Sequence, residues 1–298
     1  MAMKAVGPRD IALTLACACS YGIAPSMARL AYDAGAGVFT ATTGRFVAGT
    51  VAVLLLILLT RRSLRLNARA SRGALGLGLL STVTSLGYMG SIFFIPTSLA
   101  VLIFYTFPLL VAVGAHWTEG EPVDRAKLFG LLAALVGLAI ALGVEFDSLD
   151  PRGVALAGMA SMGAAAHILA ISRVAPLAGG STLPLNLRSM CVALMANTAL
   201  LGFQGEVALP AGTVGWIGLA GTMLFFTLGV TLMYAAVARV GPVRTAVLLN
   251  VEPLIAVAAA VILLGERFGP QQVVGAALVL GAVLWVQLRR TSYVPVRR

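Results

Sequence analysis

One carboxylate of this sequence lies well inside a long apolar segment. It is Glu252, directly before Pro253, whereas the other ten acidic residues fall in polar gaps or at the ends of apolar runs. A carboxylate among apolar residues is costly, so it requires a partner or a task. Glu252 could carry a proton or face the ammonium group of a ligand. The alternative is a structural acid that bonds the backbone freed by Pro253.

A histidine lies near the middle of another apolar segment. The imidazole of His167 can donate a hydrogen bond to a ligand carboxylate or stay bonded within the protein. Tyr21 lies in an earlier apolar segment, two residues before the position that corresponds to His167 in the first half of the chain. We predict that both residues line a binding site, and a packing role for the histidine remains the open alternative.

Two further segments carry polar residues at helical spacing. They are Ser81, Thr84, Tyr88 and Ser91, and later in the chain Thr227, Thr231 and Tyr234. Side chains at this spacing share one face of an α-helix. We predict that Thr84 and Tyr88 line one wall of a binding cavity and that Thr231 and Tyr234 line the facing wall. Hydrogen bonding between helices is the alternative.

The remaining candidate binding residues lie shortly before two prolines, each near the middle of an apolar segment. Phe104 and Tyr105 precede Pro108, and Asn250 precedes Pro253. Aromatic rings can pack an apolar ligand side chain, and an amide can bond its amino or carboxylate group. Both prolines are predicted hinges, because proline bends or interrupts a helix.

Two arginines also lie inside apolar segments. Arg45 and Arg188 could each pair with a ligand carboxylate or with Glu252. The sequence favours snorkelling to the membrane surface or binding to backbone carbonyls, particularly for Arg188.

The sequence lacks the motifs of several reaction types. It contains no Walker motif and no His/Cys/Asp cluster at metal-ligand spacing. Cys17, Cys19 and Cys191 lie in apolar runs without a second cysteine pair that would complete a zinc site. We therefore expect no enzymatic activity, no cofactor and no metal.

The composition excludes a water-soluble globular domain. Of 298 residues, 59% are hydrophobic and 11% are charged, whereas soluble domains carry roughly 25% charged residues. The net charge of +10 could suggest nucleic acid, but most of the basic residues lie in short gaps between apolar runs. That placement sets membrane topology and does not form a nucleic-acid-binding face.

Apolar runs of membrane-spanning length recur along the chain. A hydrocarbon core about 30 Å thick requires about 20 helical residues. The predicted spans are 11–31, 37–60, 74–95, 98–116, 126–144, 153–173, 184–203, 213–237, 243–263 and 269–288. With the N-terminus inside, 16 of the 21 Lys and Arg residues lie on the inner side and three on the outer side. The positive-inside rule therefore predicts that both termini are cytoplasmic.

The chain contains an internal repeat. Pro108, Gly120, Glu121 and Gly130 recur as Pro253, Gly265, Glu266 and Gly275 at a constant offset of 145. We predict two repeats, residues 1–145 and 146–298, of five spans each. Because five is odd, the second repeat is inverted in the membrane. Such inverted repeats are typical of secondary transporters that hold substrate near the midplane.

These motifs resemble the EamA domain of the drug/metabolite transporter superfamily. The quoted residues, the pair Glu252-Pro253 and the arginines at 45 and 188 fit its pattern, whereas Phe107 replaces the acidic residue in the first half. The stretch from Tyr88 to Pro108 is most similar to bacterial aromatic-amino-acid exporters. The resemblance implies ten transmembrane helices around a central cavity lined by helices one to four and six to nine.

We therefore expect an all-α, multi-pass protein of the bacterial inner membrane. It would export amino acids, including aromatic and other apolar ones, by alternating access. The expected partners are amino acids or similar small metabolites, membrane lipid and, as an open alternative, protons, without nucleic acid. The alternatives are a transporter of another metabolite or drug and an enzyme acting on a lipid-linked substrate. That enzyme would require clustered acids or histidines at one membrane face.

Overall fold

The computed structural model is helical in nearly all of the chain that it describes, which is residues 7–91, 94–119, 125–143, 150–179, 181–204, 207–265 and 269–288. No β-strand occurs among these residues, and the all-α prediction is confirmed for them. The corner Gly120-Glu121, its counterpart Glu266 and the acidic gap 145–149 lie outside the described residues.

Twelve α-helices are present in the described ranges. The first six are α1 (Pro8–Asp33), α2 (Val38–Leu59), α3 (Ala68–Ser91), α4 (Thr97–Phe104), α5 (Phe107–Glu119) and α6 (Arg125–Leu142). The others are α7 (Pro151–Val174), α8 (Leu183–Gln204), α9 (Gly212–Val240), α10 (Pro242–Leu249), α11 (Glu252–Leu264) and α12 (Pro270–Leu288), with a 3-10 turn at Ala175–Ala178. Each predicted span overlaps one helix, except that the fourth and the ninth each comprise two.

Helix α3 begins and ends earlier than the predicted span 74–95. The Asn67 side chain accepts a hydrogen bond of 2.7 Å from the Ala70 backbone N–H, and it thereby caps the N-terminus. The first turns then carry Arg69 and Arg72. The prediction followed apolar residues alone and so missed the capped polar turn.

The fourth and ninth spans are each interrupted before their central proline. Helix α4 ends at Phe104, four residues before Pro108, and α10 ends at Leu249, four residues before Pro253. A proline lacks the N–H of a helical hydrogen bond, and its ring clashes with the carbonyl four residues earlier. Each helix therefore ends at the residue whose carbonyl the proline obstructs.

Six segments in the described part of the chain are long and apolar enough to cross a membrane. They are Pro8–Asp33, Val38–Leu59, Leu99–Thr118, Pro151–Ala178, Gly212–Val240 and Pro242–Leu264, and Leu128–Leu142 and Pro270–Val286 are shorter apolar helices. Helices α3 and α8 carry more polar residues, such as Arg72 and Asn186. This pattern is that of a multi-pass membrane protein.

The helices pack in pairs that correspond between the two halves of the chain. Helix α1 packs along α9, and α7 packs along α3. Helix α2 contacts α8 and α9, whereas α8 contacts α2 and α3. Helix α6 packs against α12. When every helix is exchanged for its counterpart in the other half, the α1–α9 contact becomes the α7–α3 contact and the α2–α9 contact becomes the α8–α3 contact. The α2–α8 and α6–α12 contacts stay unchanged.

Small residues bring α6 and α12 together. A Cβ atom at Gly137 would lie 2.9 Å from the Gly275 carbonyl oxygen, so only glycine permits this approach. Ala134 and Ala141, on the same face of α6, are buried. These small residues of α6 therefore pack against α12 within the chain.

Loops are joined at both ends of the bundle. At one end the Ala211 N–H donates to the Ala34 carbonyl at 2.7 Å, which links the segment after α1 to the segment before α9. At the other end the Asn67 side-chain amide donates to the Leu177 carbonyl at 2.9 Å. These two links also correspond when the halves are exchanged.

Candidate functional site

Glu252 lies at the interruption of the ninth span, as the first residue of α11. Its side chain is half-buried, and the Tyr105 hydroxyl lies close enough to its carboxylate to stabilise the negative charge. The backbone N–H groups at the start of α11 add partial positive charge that favours a carboxylate. The ion pairs of the described residues do not include Glu252. The carboxylate thus has supporting donors but no cationic partner in the described part of the chain.

Aromatic rings surround Tyr105 at the first interruption. The Phe104 ring centroid lies 5.4 Å from that of Tyr88, 5.6 Å from that of Tyr105 and 5.4 Å from that of Phe107. Tyr88 is also close enough to Glu252 to interact with it electrostatically. Four of the predicted site residues, from α3, the α4–α5 break and α11, therefore lie together.

Tyr21 joins this group from α1. A Cβ atom at the neighbouring Gly22 would lie 2.8 Å from the Glu252 carbonyl oxygen, so α1 passes directly against the start of α11. The Tyr21 ring centroid lies 6.4 Å from that of Phe226 on α9. Its hydroxyl contacts the Met233 sulfur at 3.8 Å. Tyr21 thus connects the surroundings of Glu252 with α9.

The guanidinium of Arg45 stacks on the ring of Phe226. Its guanidinium carbon is 4.8 Å from the Phe226 ring centroid, and its Nη2 donates to the Thr42 hydroxyl at 3.0 Å. Its buried Nε has no hydrogen-bond partner among the described residues. The sequence interpretation favoured snorkelling for this residue, although a charge eight residues into an apolar helix was itself the signal of a site.

His167 and Tyr234 form a separate buried pair. The His167 Nε2 and the Tyr234 hydroxyl share a hydrogen bond of 3.2 Å. Ser189 of α8 lies near the tyrosine hydroxyl. The side chains are 8% and 0% exposed, so the pair belongs to the packed interior between α7, α8 and α9.

The remaining predicted residues have local partners. Thr231 accepts a hydrogen bond of 3.1 Å from Asn186, and the Thr84 hydroxyl donates to the Leu80 carbonyl at 2.8 Å. The Asn250 side-chain amide donates to the Ala246 carbonyl of its own helix at 3.2 Å. The hydrogen bonds of these three side chains are thus with residues other than Glu252.

The predicted hinges begin new helices. Pro108 and Pro253 are the second residues of α5 and α11, and both are buried. Neither position requires a backbone N–H donor, because the first turn of a helix has no intrahelical acceptor for it. In the part of the chain that the structure describes, no three His, Cys, Asp or Glu side chains are grouped as metal ligands would be.

A model of the EamA-like transporter family matches the chain twice, over residues 9–143 and 151–288. These two ranges cover most of the sequence. The chain belongs to the EamA-like transporter family. This membership confirms the resemblance to the drug/metabolite transporter superfamily, and with the apolar helices it makes the chain a multi-pass membrane protein of a transporter family.

Curated relatives of this family are also similar to the chain. The threonine/homoserine exporter RhtA of Escherichia coli (strain K12) is 31% identical over 229 residues, which are 72% of this chain and 71% of the relative. RhtA of Salmonella typhimurium (strain SL1344) is 30% identical over 212 residues, 66% of each chain. The uncharacterized transporter YoaV of Bacillus subtilis (strain 168) is 26% identical over 110 residues, 36% of this chain and 37% of the relative.

A solved crystal structure has the same arrangement of helices. It superposes with a TM-score of 0.78 at 18% sequence identity and covers 95% of this chain and 98% of the other chain. At this identity the likeness shows the fold alone.

Proposed function

We propose that this EamA-family chain exports amino acids across the bacterial inner membrane. The observation that carries the proposal is Glu252, a half-buried carboxylate midway along an apolar span that has the Tyr105 hydroxyl nearby and no cationic partner among the described residues. An α-amino acid supplies the missing cation as its ammonium group. The RhtA relatives, which are threonine/homoserine exporters, support the same substrate class.

The substrate range includes aromatic and apolar amino acids in this proposal. The rings of Tyr88, Phe104 and Tyr21 lie within the group around Glu252 and offer faces and edges for an apolar side chain. The similarity of Tyr88–Pro108 to the aromatic-amino-acid exporter YddG stays a prediction. The names of the RhtA relatives point to short polar side chains instead, so both kinds of amino acid belong in the test.

The architecture that we propose is two inverted repeats, residues 1–145 and 146–298, with ten spans and both termini in the cytoplasm. Three observations support it: the family model matches each half, helix contacts correspond when the halves are exchanged, and an interruption precedes the central proline of each half. Inverted repeats allow two similar packings that open to opposite sides.

In alternating access, the loop link at one end of the bundle would open while the loop link at the other end stays closed. The link of Ala211 to Ala34 and the link of Asn67 to Leu177 would close opposite ends of the path. The interruptions before Pro108 and Pro253 would act as hinges, because fewer helical hydrogen bonds hold the chain straight there.

Counterflow in proteoliposomes tests the proposed function. Vesicles that contain the purified chain and unlabelled threonine, homoserine, phenylalanine or tryptophan should take up the same labelled amino acid, whereas protein-free vesicles should not. Acceleration by a pH gradient in wild type but not in Glu252→Gln would assign protons as the coupling ion. The absence of counterflow for every amino acid would overturn the proposal.

Cysteine labelling tests the proposed topology. In a variant without Cys17, Cys19 and Cys191, a cysteine at Arg65 should react only from the cytoplasmic side. Cysteines at the corners Gly120 and Gly265 should react from opposite sides. Labelling of both corners from one side would contradict the inverted repeat.

A further inference from the structure

Arg45 is a cation inside the bundle, and no anionic partner for it is found among the described residues. It is the eighth residue of α2, which is long and apolar enough to cross a membrane. None of the ion pairs between described residues includes it. An arginine at this depth requires an anion or several acceptors, and the structure supplies one hydroxyl, that of Thr42.

Phe226 and its neighbours hold the guanidinium in place. The Phe226 ring lies under the guanidinium, and the Phe46 ring packs edge-on against Phe226 at 5.3 Å. Such stacking preorganises an arginine, so that less side-chain freedom is lost when its planar fork of N–H donors binds a carboxylate.

Unpartnered hydroxyls accompany Arg45 along the same two helices. The hydroxyls of Thr40 and Thr43 on α2 and of Thr222 on α9 have no hydrogen-bond partner among the described residues. Thr43 and Thr222 are 8% and 0% exposed. Buried hydroxyls without partners are uncommon in folded proteins, so α2 and α9 carry polar groups that a water molecule or a ligand would satisfy.

Arg45 and Glu252 both lie in the neighbourhood of Tyr21. Phe226 connects Arg45 to the Tyr21 ring, and α1 at Gly22 contacts the start of α11. Both charged groups act electrostatically on Tyr21 and on Tyr88, yet they do not form an ion pair with each other. Two opposite charges held apart in an apolar bundle form a site for a ligand that carries both charges.

We propose that Arg45, supported by Phe226 and Thr42, binds the carboxylate of the amino-acid substrate whose ammonium group Glu252 attracts. The assignment rests on the proposed transport of amino acids and adds the second half of zwitterion recognition. It makes the α-carboxylate a requirement for tight binding.

Comparing the binding of amino acids with the binding of their amino alcohols tests whether Arg45 binds the carboxylate. The binding of L-threonine and L-threoninol, and of L-phenylalanine and L-phenylalaninol, is measured for the full chain in lipid nanodiscs. The alcohols keep the ammonium group but lack the carboxylate. We expect Arg45→Gln to weaken binding of the amino acid at least tenfold and to change binding of the alcohol less than twofold.

A matched control comes from the other half of the chain. Arg188 is the repeat counterpart of Arg45, and it hydrogen-bonds to Ser71 on α3. Arg188→Gln should leave the preference for the amino acid over the alcohol within twofold of wild type. If Arg45→Gln does not fold, Phe226→Leu should lower the same preference, because the guanidinium loses its support.

The outcomes separate the two proposals. If wild type binds neither amino acid, the proposed function fails and the role of Arg45 fails with it. If wild type binds an amino acid but the Arg45 or Phe226 variants lose acid and alcohol equally, or lose neither, only the carboxylate assignment is overturned.

Discussion

At the first helix interruption Phe107 precedes Pro108, and at the second Glu252 precedes Pro253. The backbones of the two places are alike, since each preceding helix ends four residues before its proline. Phe107 is 3% exposed and packs against the ring of Phe104, whereas Glu252 is half-buried. The proline causes the interruption of the helix, and the residue before it determines whether the new helix begins with an apolar or a charged side chain.

The difference suggests why one acid is present and not two. A carrier of cations would be expected to hold a symmetric pair of acids. Here the hydroxyl of Tyr105, from the first interruption, lies near the acid of the second. One half therefore contributes an aromatic wall and a donor, and the other contributes the charge, which matches a substrate with one ammonium group.

The largest effect is expected for Phe107→Glu, which would make the two interruptions equal. A carboxylate in the packed Phe107 site has no cationic partner among the described residues, so we expect a loss of about 3 kcal/mol in unfolding free energy. Unfolding in detergent measures it, with Phe107→Leu as the control that keeps an apolar side chain. If Phe107→Glu is as stable as wild type, the Phe107 site accepts a charge as the Glu252 site does, and the contrast between the two interruptions is wrong.

Glu252→Gln removes the charge and keeps the shape. Loss of a charge-assisted contact to the substrate ammonium should cost about 2 kcal/mol, roughly thirtyfold in affinity. Binding of labelled amino acid to the purified variant measures it. Glu252→Asp serves as the control that keeps the charge. An affinity within twofold of wild type would make Glu252 a structural acid.

Tyr105→Phe tests the contact between the two interruptions. Removal of its hydroxyl, which lies near Glu252, should cost about 1 kcal/mol, roughly fivefold in affinity. Tyr88→Phe is the matched control, because it removes a hydroxyl from a ring that packs on Phe104. Equal losses in both variants would mean that Tyr105 acts through packing alone.

Pro108→Ala and Pro253→Ala should have small and equal effects if both interruptions are hinges. Alanine restores an N–H that can bond the carbonyl four residues earlier, which favours a continuous helix by about 0.7 kcal/mol. We expect the exchange rate to fall about threefold in each variant while the affinity stays within twofold. Unequal rates would show that only one interruption moves.

The smallest effect on binding is expected outside both interruptions, at His167. Its pairing with the fully buried Tyr234 predicts that His167→Ala lowers stability and leaves affinity within twofold of wild type. Thermal unfolding and binding of the same sample distinguish the two quantities. A tenfold loss of affinity in a stable variant would return His167 to the substrate site.

The positions of the helices followed from the sequence because their causes are local. Membrane thickness sets the length of an apolar run, and a proline acts on the carbonyl four residues earlier. The apolar runs therefore located the helices, and Pro108 and Pro253 located the interruptions. The start of α3 was missed because a side-chain cap at Asn67, and not an apolar residue, begins it.

The composition of the site depended on which helix faces meet. Sequence reasoning proposed Tyr21, Phe104 and Tyr105 beside Glu252, and the structure brings them together, but it places His167, Thr231 and Asn250 with other partners. It also pairs Arg45 with Phe226, a contact between α2 and α9.

Local sequence was sufficient to locate the apolar helices, the resemblance to the family and the one carboxylate inside an apolar run. The position of Tyr105 near that carboxylate and the stacking of Arg45 on Phe226 became visible in the packed bundle alone. Hydrophobic length and helix interruption depend on neighbouring residues in the chain. The contacts of a side chain depend on the rotation and crossing of helices, which close packing of the whole bundle sets.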